Sequence, residues 1–255
     1  GVQTCALPIS AFNAQSALKA QLGIAGHFAT SGNDGTITRF GWKAQNKSLT
    51  IFAGEAYNVE QGVTNDLFPN ERETDPGCQF NASPEDATEL ENVANARSPA
   101  AAHSSDAVKF GTLMRLMAAP TPATQTAQTA RGLAVFNNVG CQGCHVAAQT
   151  TGKSANPSLN NVTYFPFSDF ALHDMGGALA DGITQGTANG RDWRTAPLWG
   201  LGQRLFFLHD GRAETLDRAI AAHSSNGSEA NGSIARYDAL STGDRADLMA
   251  FLRSL

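Results

Sequence analysis

The stretch that decides the fold of this chain is Cys141-Gln142-Gly143-Cys144-His145, two thiols separated by two residues and followed at once by a histidine. This spacing is the attachment pattern of c-type haem. Two vinyl groups on one edge of a porphyrin each receive a thioether, so the chain between the cysteines must turn tightly. Gly143 keeps that turn free of a bulky side chain. The motif therefore predicts covalent haem held by Cys141 and Cys144, with His145 as an iron ligand.

Two other kinds of site use closely spaced cysteines. A thioredoxin-like redox pair would require a strand before the motif and a helix after it. A structural zinc site would require a second pair of ligands at similar spacing. The sequence around 141–145 predicts neither arrangement. Haem c is therefore the cofactor we expect, and one attachment site is visible.

The flanks of the motif predict two helices. Residues 129–136 have apolar side chains at helical spacing, and Gly140 is a suitable stop. Residues 245–253 form an amphipathic segment that Asp244 could cap. Such helices are typical of cytochrome c domains, where the terminal helices cross near the haem edge. The same segments are also compatible with ordinary core helices.

The composition of the 255 residues narrows the class further. A hydrophobic fraction of 42% is sufficient for a packed core, which excludes a wholly disordered chain. The net charge is −5 and no Lys/Arg cluster is present, so we expect no nucleic-acid partner. No run of about 18 apolar residues occurs, so we expect no transmembrane segment.

Four further motifs carry a resemblance to a known family. From Phe28 to the C-terminus the chain resembles the di-haem oxidoreductases, which are related to bacterial di-haem cytochrome c peroxidases. The resemblance implies peroxidase-like chemistry and a second haem-attachment motif upstream, which is not present here. We therefore expect an N-terminally truncated fragment whose second haem belongs to the missing part. The motifs that carry it are RFGWKAQ at 39–45, LHDMG at 172–176, WRTAPLWGLG at 193–202 and LHDGRA at 208–213.

The predicted fold class is mainly α, with the two-lobe architecture of the di-haem peroxidases and a C-terminal cytochrome c domain. Residues 1–9 resemble a translated sequencing adapter and are expected to be non-native. Residues 10–119 are assigned to the rest of the first lobe, 120–129 to a linker and 130–255 to the cytochrome c domain.

A weak internal repeat agrees with two lobes. Trp42 and His209 are each followed by a leucine seven residues later, where a helix is expected to begin. Ser48 and Thr215 are plausible caps for these two helices.

The sixth iron ligand is open to several candidates, namely His173, Met175, His209, His223 and Met249. Met249 lies on the apolar face of the last helix and is assigned to the core. In the related peroxidases the distal ligand follows the His-Asp-Gly turn by about four helical turns, which implies His223. Met175 is the alternative, and His223 could instead be a surface histidine. His209 is interpreted as positioning the turn, and Arg191 and Arg194 as balancing propionate charge.

A haem closed by two protein ligands transfers electrons, so the retained haem is expected to act as an electron relay. The resemblance implies that Trp42 lies between the haems and that Glu60 is the acid/base over the reactive one. The full-length protein is thus expected to be a peroxidase-like oxidoreductase, and the fragment alone an electron-transfer module. A monohaem electron carrier and a haem-based sensor are the alternatives.

The expected partners are redox proteins, with a small oxidant such as peroxide as substrate. Attachment of c-type haem occurs outside the energy-conserving membrane of bacteria. A periplasmic or exported location is therefore predicted from the chemistry of attachment, without a visible signal peptide.

Overall fold

A computed structural model describes residues 6–88 and 103–255. Within these residues the chain is mainly α, as predicted, with eight α-helices and two small antiparallel sheets. No described helix has both the length and the apolar character needed to cross a membrane. The helices are α1 Ala6–Ala14, α2 Ser16–Leu22, α3 Leu49–Gln61, α4 Asp106–Leu116, α5 Ala127–Val139, α6 Leu216–Ala221, α7 Asn231–Asp238 and α8 Thr242–Ser254. The strands are β1 Gln149–Thr150, β2 Thr163–Tyr164, β3 Leu172–Asp174 and β4 Asp192–Arg194.

The chain divides into two compact units. One, called the motif unit below, consists of the described residues up to Gln45 together with Ala119–Leu255, and the other is formed by the described part of Asn46–Ala118. Residues 10–45, assigned above to the first lobe, thus belong to the same unit as the cysteine motif. Helix α5 begins at Ala127, within the stretch 120–129 that the sequence predicts as a linker. The assignment of two haem lobes itself stays a prediction.

The helix that leads into the motif, α5, has clear boundaries. The Thr126 hydroxyl accepts a hydrogen bond from the backbone N–H of Thr129, and the Thr129 hydroxyl accepts one from the backbone N–H of Thr126. At the other end Gly140 adopts φ 95°, a left-handed conformation that favours glycine and ends the helix. The predicted helix and its stop are therefore confirmed.

The last helix, α8, packs across α5 as predicted. Gly132 makes the crossing possible, because a Cβ there would collide with the carbonyl oxygen of Asp247 and the Cβ of Phe251. The predicted cap of α8 is wrong. Ser241 caps the helix by accepting from the N–H of Asp244, so Asp244 lies in the first turn. There its negative charge faces the positive end of the helix dipole.

Three aromatic rings form the centre of the core beside this crossing. The ring centroids of Phe136 in α5 and Phe251 in α8 are 5.5 Å apart. The ring centroid of Phe167 lies 6.0 Å from that of Phe136 and 5.6 Å from that of Phe251. The tilted, edge-to-face geometry is the one that aromatic quadrupoles favour. The same core includes Val135, Val139, Leu201, Phe207, Leu216, Tyr237, Leu248 and Leu252.

The chain between α2 and α3 joins the edge of the β3–β4 sheet. His27 and Leu172 exchange two backbone hydrogen bonds, of 2.9 and 2.7 Å. Within the sheet His173 pairs with Trp193 and Leu172 pairs with Arg194. The sheet thereby brings two motifs that are 20 residues apart in sequence against each other.

The second unit is built on α3 and α4. The Ser48 hydroxyl accepts from the N–H of Ile51 and caps α3, as predicted. Gly111 allows α4 to pack closely against α3, since a Cβ there would lie 2.8 Å from the Cα of Thr50. Buried Asn65 completes the unit by donating to the carbonyl of Gly54 at 2.8 Å.

Candidate haem site

The cysteine motif follows α5 directly and forms a tight turn. Cys141–Gly143 is a single 3-10 turn, and the N–H of His145 donates to the carbonyl of Cys141 at 2.9 Å. Both cysteines are free thiols. A Cβ on Gly143 would lie 2.8 Å from the side chain of Ile24, so this glycine is required by packing as well as by the turn.

The turn opens onto a cavity of about 220 Å³ within the motif unit. Cys141, Cys144, His145 and His223 all line it. The rest of the wall is mostly apolar and includes Ile24, Phe136, Leu198, Phe207, Ile234 and Leu248. The WRTAPLWGLG motif contributes six consecutive lining residues, 193–198.

His145 is held in one orientation by its Nδ1, which lies 2.9 Å from the carbonyl oxygen of Phe167. A backbone carbonyl only accepts, so Nδ1 carries the proton and Nε2 keeps its lone pair. No hydrogen bond to Nε2 exists among the described residues. Burial lowers the pKa of His145 to about 4, although the Phe167 carbonyl favours the charged form. The imidazole is therefore neutral at pH 7, as an iron ligand must be.

His223 has the same arrangement. Its Nδ1 lies 2.7 Å from the carbonyl oxygen of Ala219, and burial lowers its pKa. Its charged form would also lower the pKa of His145. Both side chains line the same cavity. His223 is not on the helix where the resemblance put it. Thr215 caps α6 as predicted, but α6 ends at Ala221 and His223 follows in the next turn.

The other predicted candidates for the sixth ligand differ in their surroundings. His173 uses both ring nitrogens, with Nδ1 2.7 Å from Glu229 and Nε2 3.1 Å from Asp169. Met249 packs against the core and does not line the cavity, as expected. Met175 does line the cavity. His209 lines the cavity as well. Of the three candidates at the cavity wall, His223 is the one whose ring is oriented by a hydrogen bond to a backbone carbonyl.

A buried charge cluster beside Cys144 was missed by the sequence analysis. It consists of Lys19, Asp169, His173 and Glu229, two cations and two anions. Lys19 Nζ lies 2.9 Å from Asp169, and His173 lies between the two carboxylates with Nδ1 3.6 Å from the Sγ of Cys144. Burial opposes the charge on His173, but Cys144, Asp169 and Glu229 hold its pKa well above 6.5. The only signal was a lysine among Ala and Leu residues in the SALKAQL segment.

An aromatic cluster forms another part of the cavity wall. The ring of Trp193 is stacked on His209, with centroids 3.7 Å apart, and Lys43 Nζ lies 3.7 Å from the Trp193 centroid. The rings of Trp42 and His209 meet edge to face, with centroids 6.4 Å apart, and Trp42 is 40% exposed. His209 thus packs against two tryptophan rings, and its role in positioning the turn stays a prediction.

The two arginines predicted to balance propionate charge behave differently. Arg191 pairs with Asp174 at 2.9 Å and does not line the cavity. Arg194 lines the cavity and donates to the carbonyl of Gly41 at 2.8 Å. The structure therefore contradicts the expectation for Arg191.

The predicted catalytic residues fall in different units. Trp42 lies in the motif unit, at the cavity with Cys141, Cys144, His145 and His223. Glu60 lies in the second unit, on the last turn of α3, with an exposed side chain.

An apolar cavity with two thiols and two neutral imidazoles, each presenting an unengaged nitrogen, fits haem. Porphyrin needs an apolar slot, and its iron needs nitrogen ligands fixed by hydrogen bonds on their far side. The class of protein defined by this site is therefore a haem protein.

The family follows from comparison with known proteins. A family model described as "Di-haem oxidoreductase, putative peroxidase" matches residues 19–255, so the chain belongs to this family. No curated protein and no solved structure matches the chain. Membership establishes haem binding and a redox function.

Proposed function

We propose that this chain carries the electron-relay haem of a di-haem, peroxidase-like oxidoreductase. The observation that supports it most strongly is the pairing of His145 and His223, two neutral imidazoles that line one apolar cavity with the thiols of the motif. A cavity with two available imidazoles can close both axial positions of one iron, which favours electron transfer over bond chemistry at that iron.

In the proposed site Cys141 and Cys144 would hold the haem through thioethers, and His145 and His223 would bind its iron. When bound, haem supplies a one-electron couple between ferric and ferrous iron. The carbonyls of Phe167 and Ala219 keep the two imidazoles in the tautomer that leaves Nε2 for the metal.

The finer assignments follow from the family resemblance. Trp42 is proposed to pass electrons between the two haems, and its partly exposed ring at the cavity supports this role. Glu60 is proposed to move the proton needed for cleavage of the peroxide O–O bond. The sequence contains a single C-x-x-C-H motif, so we assign the second haem to sequence beyond these 255 residues.

We further propose a periplasmic or exported location, because thioether attachment takes place outside the energy-conserving membrane. The proposed partners are redox proteins that supply electrons, with peroxide as the oxidant.

Carbon monoxide tests the relay proposal directly. The chain is produced in a host that matures c-type cytochromes, and the reduced spectrum is recorded with and without the gas. We expect the colour to survive acid–acetone extraction and the spectrum to be unchanged by the gas. Loss of the pigment would contradict covalent attachment. Ready binding of the gas would favour a haem-based sensor or an open peroxidatic site.

The role of Glu60 requires a version of the protein that contains both haems. Glu60→Gln should reduce peroxide turnover at least 100-fold, since a positioned proton donor contributes about 10²–10⁴ in rate. Glu71→Gln, in the same unit, is the control and should leave turnover unchanged. Undiminished turnover by Glu60→Gln removes this residue from the mechanism. A version with both haems and no turnover favours a simple electron carrier.

A further inference from the structure

Two adjacent apolar side chains are exposed beside the haem cavity. Leu205 is 75% exposed and Phe206 is 63% exposed. Their neighbours in sequence, Arg204 and Phe207, both line the cavity. Single exposed apolar side chains are common, whereas apolar side chains that are exposed together and bordered by polar ones indicate an interaction site. The pair Leu205 and Phe206, called the apolar patch below, therefore adjoins the wall of the haem cavity.

The backbone that carries the apolar patch is fixed at both ends. The N–H of Arg204 donates to the carbonyl of Leu201 at 3.2 Å, and the N–H of Phe207 donates to the carbonyl of Ala213 at 2.8 Å. The side chain of Phe207 is buried in the core of the motif unit. A surface held in this way loses little conformational freedom when a partner binds.

Positive charge borders the apolar patch. Arg204 precedes it in the sequence, and a terminal nitrogen of Arg253 donates to the carbonyl of Arg204 at 3.4 Å. The guanidinium of Arg253 also lies 5.6 Å from the ring centroid of Phe207. Both arginines are exposed. Within the part of the chain that the structure describes, no carboxylate lies within ion-pair distance of either guanidinium.

The charge beside the apolar patch is opposite in sign to that of the whole chain, which is −5. Asp210, close by in the sequence, is paired with Arg212 and adds no net charge. A negatively charged partner is therefore repelled by the chain as a whole and attracted at the patch, which orients it. An apolar centre with a charged rim is the usual anatomy of an interface, and small interfaces are typical of transient redox complexes.

We propose that the apolar patch, Arg204 and Arg253 form the docking site for an acidic redox protein that delivers electrons to the haem. This inference rests on the proposed function, because it requires haem in this cavity. One electron leaves the reduced partner, which is oxidised, and reduces ferric iron to ferrous; no bond is made or broken. A partner bound to the patch lies against the wall formed by Arg204 and Phe207, which brings its redox centre toward the haem.

The test measures how fast reduced flavodoxin, an acidic one-electron donor, reduces the matured protein. Stopped-flow absorbance at several ionic strengths gives the second-order rate constant. For the wild type we expect this constant to fall as salt is added, because screening weakens the attraction between opposite charges. Arg253→Glu should lower it about tenfold at low ionic strength, within the range of electrostatic steering. The two proteins should converge near about 1 M salt, where the Debye length is about 3 Å.

Arg236→Glu is the matched control for the charge. Arg236 also donates to a backbone carbonyl at 3.4 Å, but to that of Asn138, and its replacement changes the net charge of the chain equally. We expect it to change the rate constant much less than Arg253→Glu does.

Phe206→Ser tests the apolar part of the docking site. It should lower the rate constant at least about tenfold at every ionic strength, because burial of a phenylalanine favours association by about that factor or more. Phe80→Ser, which replaces an 83% exposed phenylalanine in the second unit, is the control and should have no effect. Reduction by the methyl viologen radical, a small donor that needs no docking site, should be equally fast in Phe206→Ser and the wild type.

Several results would overturn the docking site while the haem site stands. They are a wild-type rate constant that rises with salt, wild-type rates in both Arg253→Glu and Phe206→Ser, and equal slowing of both donors by Phe206→Ser. A wild-type dimer that Phe206→Ser dissociates in sedimentation would assign the patch to a second copy of the chain. Flavodoxin rates insensitive to Phe206→Ser in a version with both haems would assign it to the first lobe. Wild-type protein without haem would instead overturn the proposed function.

Discussion

The second nitrogen of each histidine decides what that histidine can do in this protein. His145 and His223 each commit Nδ1 to a backbone carbonyl and retain Nε2. His173 commits both nitrogens to carboxylates and is an imidazolium. Sequence alone cannot make this distinction, because the partners Phe167, Ala219 and Glu229 are identifiable only in the folded chain.

Replacement of the proposed sixth ligand should open the iron. His223→Ala removes the imidazole, and we expect the reduced protein to bind carbon monoxide, about one molecule per haem. His223→Met should keep the site closed and raise the reduction potential, because a thioether favours ferrous iron. The control is Met175→Leu, which should leave the spectrum unchanged. If Met175→Leu opens the iron and His223→Ala does not, Met175 is the ligand.

The buried carboxylate of Asp169 should make stability depend on acid pH. Burial raises its pKa, but the bonds and charges of His173 and Lys19 more than offset this and hold the pKa at about 2. A folded-state pKa below the ordinary 3.8 stabilises the protein above about pH 4, and this contribution is lost as the pH falls toward 2.

Asp169→Asn should therefore lower the free energy of unfolding by about 3 kcal/mol at pH 7, since it leaves Lys19 buried without its anion. Chemical denaturation at several pH values measures the effect, and the difference from wild type should shrink between pH 4 and pH 2. Asp247→Asn, which breaks the exposed pair with Arg131, is the control and should cost much less. Equal losses in the two variants would contradict the argument.

Among the elements, the crossing of α5 and α8 depends on one missing side chain. Gly132→Ala adds a methyl group where the backbone of Asp247 and the Cβ of Phe251 already lie. We expect the free energy of unfolding to fall by about 1–3 kcal/mol, the usual cost of overpacking. The control is Gly243→Ala in α8, where the nearest atom to the new Cβ is the Ser241 hydroxyl at 3.8 Å.

Gly243→Ala should be neutral or stabilising by up to about 1 kcal/mol, because alanine has the higher helix propensity. Thermal unfolding of the two variants compares the cost of overpacking at the helix crossing with the gain in helix propensity at position 243. A stabilised Gly132→Ala variant would show that the helices are not in close contact.

The ends of several elements were predictable because caps are local interactions. Ser48, Thr215 and Gly140 act as expected from three or four neighbouring residues. The cap of α8 was not predictable, since Ser241 and Asp244 are both suitable cap residues and only the backbone conformation decides between them.

Long-range pairs were beyond prediction for a different reason. Lys19 and Asp169 are 150 residues apart in sequence, and neither has a motif that identifies the other. No motif within residues 10–45 indicates that they belong to the unit that contains Cys141, so this assignment was not predictable either. By contrast Cys141, Cys144 and His145 were found at once, because covalent attachment fixes both residue type and spacing.

For the whole molecule, the number of haems expected from the family name differs from the number of attachment motifs in this chain. The family is named for two haems, whereas the 255 residues contain one C-x-x-C-H motif and four cysteines. We expect one covalent haem per chain, measured as the ratio of pyridine haemochrome absorbance to protein. Cys141→Ala together with Cys144→Ala should reduce covalent haem to zero, while exposed Cys78→Ala should leave the ratio at one. A ratio of two would mean that a second haem binds without a second motif, and the relay would then lie within this chain.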